Sequence, residues 1–210
     1  MKFTLVFALA AIYGCGKSQD DTSETNTTDT GTNTTDSATT TDSGTVTTET
    51  GTTDTALYPV YPYSVDATSH DGWVYLDLET MSLVEPGTPE NSTEWDLAFK
   101  RSDIAVNGGV SGSGGVEVAA FPEYWDKFED YTYAPPHGFA TDEAGEDGET
   151  AYVMAEWYDY DPSTHTLSAA DMLYFVQSVE GNYYRLRFIG YYDSEGTSGN
   201  VSFEFGPVDG

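Results

Sequence analysis

Along residues 95–100 the positions alternate: Trp95, Leu97 and Phe99 fall on one parity, and Asp96, Ala98 and Lys100 on the other. Period two is the pattern of a strand with one buried face. It recurs upstream in HDGWVYLDLET, where Asp71-Gly72 supplies a turn and Val74, Leu76 and Leu78 face away from Trp73, Tyr75 and Asp77. Downstream, VEVAAF reads as a further short strand. AYVMAEWYDYD, MLYFVQSV, NYYRLRFIGYYD and NVSFEFG read as four more, parted by turns at Asp161-Pro162, Glu180-Gly181-Asn182 and Glu195-Gly196. The tight turn after MLYFVQSV predicts an antiparallel hairpin, and the last three strands a meander. In FPEYWDKFEDY the period changes. Tyr124, Trp125, Phe128 and Tyr131 stand at near-helical spacing, which predicts one short helix with an aromatic stripe against the core.

Aromatic and β-branched residues dominate these segments and suit half-buried pleated surface. The fold class is therefore mainly β, a single domain of mostly antiparallel strands. A different kind of sequence precedes it. Residues 1–15, MKFTLVFALAAIYGC, carry Lys2, an apolar run from Phe3 to Tyr13, and the small Gly14 before Cys15, the only cysteine. The run is too short for an ordinary membrane span and reads as an export signal. Cys15 is then the lipidation site of a bacterial lipoprotein, or an incidental residue of a plain cleaved signal. Residues 16–57 are Thr, Asp, Ser and Gly with almost no large apolar side chain, so they predict a disordered, self-repelling tether. Residues 58–210 form the domain, which lacks cysteine and hence disulfides and thiolate metal sites.

Charge narrows the chemistry further. The 210-residue chain has 36 acidic and 7 basic residues, a formal net charge of -29, which repels a phosphate backbone and excludes nucleic acid as a partner. The loop NGGVSGSGG lacks the Lys-[Ser/Thr] of a phosphate-binding loop, and neither G-x-S-x-G nor H-E-x-x-H occurs. The acidic stretch TDEAGEDGET lacks the spacing of a calcium loop and reads as solvated surface. No metal site and no enzymatic activity are expected.

Two stretches carry a resemblance. WDLAFKRSDIAVNGGVSGSGGVEVAAF, with the later THTLSAADMLYFVQSVEGNYYRLRFIGYYDSEGTSGNVSFEF, resembles the HmuY family of bacterial haem-binding surface lipoproteins over roughly residues 65–208. The resemblance implies a mostly antiparallel β fold on a lipid anchor. It also implies capture of haem or another porphyrin at the cell surface of a Gram-negative bacterium, for delivery to an outer-membrane haem transporter. An alternative is a protein of this fold that does not bind haem and serves as a structural or protein-interaction module.

Family members hold iron through two axial His or Met side chains, which the resemblance places between Phe139 and Thr166. Candidates there are Met154, Tyr160 and His165, with His137 just outside. His165 lies next to a turn. Tyr can also ligate haem iron, whereas Met within a strand is more often core filler. Arg101 and Lys100 are the candidates for pairing the propionates, although for Arg101 an ion pair with Asp96 or Asp103 is the favoured expectation. Strand alternation puts Arg185 and Arg187 on one face.

Overall fold

The computed structural model describes residues 58–122 and 124–210. The signal, the tether and Cys15 lie outside them. The strands are β1 (Tyr61–Asp66), β2 (Val74–Asp77), β3 (Ser82–Val84), β4 (Leu97–Lys100), β5 (Asp103–Val106), β6 (Glu117–Pro122), β7 (Glu143–Ala144), β8 (Thr150–Ala151), β9 (Tyr158–Asp161), β10 (Thr166–Ala169), β11 (Met172–Gln177), β12 (Tyr183–Tyr192) and β13 (Ser198–Val208). They form a five-stranded sheet in the order β1-β13-β12-β11-β6 and a four-stranded sheet in the order β3-β2-β4-β5. Two hairpins, β7-β8 and β9-β10, complete the set, and every ladder is antiparallel. The expected meander is β11-β12-β13, with Gly181 and Gly196 at positive φ in its turns.

The core fills the space between the two sheets. Leu186, Phe188, Phe203 and Phe205 of the large sheet meet Leu76, Leu97, Phe99 and Ile104 of the small one. Phe99 stacks on Phe203 with ring centres 5.7 Å apart and planes 10° from parallel. The opposite face of β12 carries Arg185 and Arg187, as alternation requires. Arg185 donates to the carbonyls of Tyr131 and Tyr58, while Arg187 pairs with Glu204 at 2.7 Å and lies over the rings of Trp125 and Phe128. These cations dock the segment from Trp125 to Asp130, where the expected single short helix is instead two 3-10 turns joined across a kink at Lys127, with Phe128 fully buried and Tyr124 left exposed.

Two expectations of local structure are corrected. AYVMAEWYDYD is not one strand: it breaks at a turn closed by Ala155 N–H to Tyr152 O and Trp157 N–H to Met154 O, because Met154 and Trp157 both turn inward to full burial. Nor does the segment at 95–100 have one buried face. Leu97 and Phe99 enter the main core, while Trp95 joins Ala98, Ala105 and Tyr75 in a separate cluster on the outward side. Asp96, at 1 % exposure, accepts from Leu78 N–H at Oδ2 and from Val179 N–H at Oδ1, both at 2.8 Å. It thereby ties the small sheet to the turn between β11 and β12.

The glycine loop is organised by Asn107, fully buried, which donates to Ser92 O and Trp95 O and accepts from Gly114 N–H. A Cβ at Gly112 would lie 2.1 Å from Asn107 Oδ1, and Gly109 combines φ of +59° with a Cβ position 1.9 Å from Asp142 O. Close approach, as much as a left-handed turn, accounts for glycine there.

Burial pushes the Asp96 carboxyl up to about 6, against the downward pull of the Val179 and Leu78 N–H groups. An unfolded Asp titrates near 3.9, so the folded state binds this proton more tightly, and the stability it contributes is full below about pH 4 and lost as pH rises through about 6. In urea denaturation followed by tryptophan fluorescence, wild type is expected to lose stability relative to Asp96→Asn across that window. Asp96→Ala is expected to cost about 1–3 kcal/mol for each of the two N–H groups it strands.

Candidate functional site

The β9-β10 hairpin is shaped by Asp161. Its carboxylate accepts from Ser163 N–H at 2.8 Å, from Ser163 Oγ at 2.7 Å and from Thr164 Oγ1 at 3.0 Å, and these bonds hold its pKa below the usual carboxylate range. His165 closes the loop by donating its N–H to Asp161 O and takes a left-handed conformation, φ 57°. That conformation is uncommon for a residue with a Cβ. It brings His165 Nδ1 to 2.5 Å from the hydroxyl of Tyr160, and both side chains are exposed.

The hairpin packs against the far end of β12, where the Tyr192 hydroxyl accepts from Leu167 N–H. Tyr158 meets Trp157, Trp157 meets Tyr191, and Tyr191 meets Tyr192, with ring centres 5.2–6.0 Å apart. Reading the sequence for ligand types missed this tyrosine collar. The signal was present in the paired aromatics of YDYD and GYYD, one run on the hairpin and one at the end of β12.

The turn joining β4 to β5 reaches the same end of the molecule. Trp157 Nε1 donates to Ser102 O, and Arg101 lies 5.9 Å from the centre of the Tyr191 ring. Arg101 is paired with neither Asp96 nor Asp103. Its guanidinium donates to Thr68 O, Ser198 O and Ser198 Oγ, which reduces what it can offer a propionate. Lys100, half-buried and in register with Asp103, is the other cation at this end.

The remaining candidates lie elsewhere. Met154 is fully buried in the main core, so as placed it cannot meet a surface ligand. His137 is exposed and lines a cleft of about 430 Å³ with Pro136, Phe139, Gln177 and Tyr183. Tyr183 begins β12 and Tyr192 ends it, and ten residues of strand span about 30 Å. His137 and His165 therefore sit at opposite ends of the large sheet and cannot share one iron. Only Tyr160 and His165, among the proposed ligands, are brought into contact. Among the described residues no group of three or more His, Cys, Asp or Glu is arranged to hold a metal ion, and no helix is long and apolar enough to cross a membrane.

The family model for the HmuY protein matches residues 69–205. The chain belongs to the HmuY family. The HmuY fold is also shared with solved structures at low identity. An HmuY analog of Tannerella forsythia is 19% identical, with 73% of this chain and 97% of the other aligned and a TM-score of 0.53. A Bacteroides vulgatus protein assigned as HmuY-like and haem-binding is 18% identical, with coverages of 70% and 90% and a TM-score of 0.50. A Bacteroides fragilis protein assigned as a lipoprotein is 20% identical, with coverages of 70% and 88% and a TM-score of 0.51. No curated protein matches the chain.

The placement of Met154 gives a test. Met154→Ala is expected to lower stability in urea by about 2–5 kcal/mol, as for other large-to-small core changes, while leaving any haemin affinity of the folded protein as in wild type.

Proposed function

We propose that this HmuY-family protein is a haem-capturing lipoprotein of the bacterial outer membrane, anchored at Cys15 and passing haem to a transporter. The observation that carries the reading is the 2.5 Å contact between the Tyr160 hydroxyl and His165 Nδ1 on an exposed hairpin. Tyr is a known axial ligand of haem iron, and to act as one its phenol must shed a proton. His165 is placed to take it, so the pair functions as one oxygen donor with a built-in base. Outer groups that orient and activate an iron ligand in this way belong to the binding site as much as the ligand does.

The half-buried rings of Tyr158 and Tyr192, backed by the buried Tyr191, give this end of the fold an aromatic surface that suits the flat apolar body of a porphyrin. Lys100 is the cation left to meet a propionate, and its single charge favours a site with the propionate edge turned to water. Family membership and the Bacteroides vulgatus relative, assigned as haem-binding, support the same reading. The lipoprotein assignment of the Bacteroides fragilis relative supports the anchor.

A second placement is favoured by one observation, the cleft beside His137, which is larger than either of the two aromatic-lined cavities. Haemin titration of the mature chain distinguishes the two. The expected result is a shifted Soret band, weakened about tenfold or more by His165→Ala, as for removal of a partner that orients a metal ligand, and changed in form by Tyr160→Phe. His137→Ala is expected to leave it unchanged. Loss with His137→Ala alone moves the site to the cleft. A Soret band identical to that of free haemin rejects haem capture in favour of the interaction module.

A further inference from the structure

The outward face of the four-stranded sheet holds a second feature, remote in kind from the tyrosine hairpin. Ala98 and Ala105 are registered partners on β4 and β5, and Tyr75 of β2 is registered with Ala98. Two methyl side chains thus make a low floor. Around it stand Tyr75 against Trp95, ring centres 5.0 Å apart and edge to face, and Trp73 against Tyr152, 5.8 Å apart and edge to face. These rings, with Pro89, Val110, Ser111 and Thr150, line an open slot of about 150 Å³. The walls are fixed in place. Trp95 Nε1 donates to Pro89 O at 2.9 Å, and the chain beside Tyr152 is held by Val153 N–H donating to Asp142 Oδ1 at 2.9 Å.

The charges that act on the slot's two phenols are carboxylates. The Tyr152 phenol is held above its usual range by burial and then by the charges of Asp103 and Asp142, with Glu149 adding to them. The Tyr75 phenol is raised by burial and then by Glu90. No basic side chain lines the slot among the described residues. Lys100, two residues beyond Ala98 on β4, is in register with Asp103 and stands outside the lining.

Ring faces of Trp and Tyr are electronegative and attract cations, most strongly where water is displaced. Carboxylates around such rings add long-range attraction for the same sign of charge. An ammonium bearing N–H groups is best met by a carboxylate within the slot, and the lining holds none, its polar side chains being the hydroxyls of Ser111, Thr150 and the two tyrosines; a methylated ammonium presents apolar, charged methyl groups that match the rings and the alanine floor. A neutral sugar would gain from the rings but not from the long-range attraction of the carboxylates. The slot is also small, below the roughly 300–1,000 Å³ of pockets that enclose drug-sized ligands, so a tetrapyrrole is too large for it. We propose that this slot binds a quaternary ammonium group, carried either by a free solute such as choline or by a choline lipid headgroup. The site is independent of haem capture.

The test uses the mature chain and choline chloride, read by tryptophan fluorescence and calorimetry, with dimethylbutanol as the neutral carbon isostere. Choline is expected to bind about tenfold or more tightly than the isostere, the difference arising from cation–π attraction and the surrounding carboxylates. Tyr152→Leu, which keeps an apolar side chain and removes the ring, is expected to weaken choline roughly three- to tenfold, and Tyr152→Phe to retain it. Circular dichroism of both variants checks that the fold is intact. Co-sedimentation with phosphatidylcholine vesicles identifies the source: binding to both vesicles and choline assigns a headgroup, and binding to choline alone a free solute. The proposal is overturned if choline does not bind, if the isostere or glucose binds as well as choline, or if Tyr152→Leu changes nothing in a folded protein.

Discussion

The Asp96 carboxylate is the constraint on which the arrangement of the two sheets depends. It lies at the entry to β4 and accepts one N–H from the end of β2 and another from the turn between β11 and β12, so one side chain joins the two sheets. Asn107 and Asp142 repeat the device. Asn107 gathers the glycine loop, and Asp142 accepts Val106 N–H and Val153 N–H, joining β5 to the chain after β8. Buried polar groups are tolerable only when bonded, and here each bonds to backbone that would otherwise be stranded. The pattern W-D-x-A-F followed by an Asn and spaced glycines is thus a set of buried clamps and the close approaches they require.

A second consequence concerns where ligands can bind. The space between the sheets is filled by stacked and edge-to-face rings, with Trp157 wedged 4.7 Å from Phe188. No porphyrin-sized void remains there among the described cavities. The accessible features lie at the rims instead: the tyrosine hairpin at one end of β12, the His137 cleft at the other, and the aromatic slot on the outer face of the small sheet. Each borrows rigidity from the core without opening it.

The scarcity of cations acts in the same direction. Arg185 and Arg187 fasten the 3-10 segment to β12, and Arg101 stabilises a left-handed turn by bonding three oxygens. With these committed to structure, the surface is left almost uniformly acidic. Recognition of anionic groups must be sparse, and aromatic rings with carboxylates beside them become the natural receptors for positive charge.

The sequence by itself determined the class of fold, the meander and its turns, the shared face of Arg185 and Arg187, and the family. Each of these is local: alternation sets a strand's face, and Gly at a turn sets its hand. The contacts that matter to binding were not legible in this way. Trp95 has the parity of Leu97 yet lies with Ala98, because it precedes the strand and is pulled outward by Pro89 and Tyr75. Asp96 stood on the polar parity of its strand as a possible partner of Arg101 and is instead buried against backbone N–H groups, since its partners are 18 and 83 residues away in the chain. Met154 and His165 stood side by side as possible ligands, and only packing sent one into the core and set the other against Tyr160. Local pattern fixes which way a side chain points on its own element. Whether that direction leads to solvent, to a ring or to another carboxylate depends on long-range burial, and only the tertiary structure decides it.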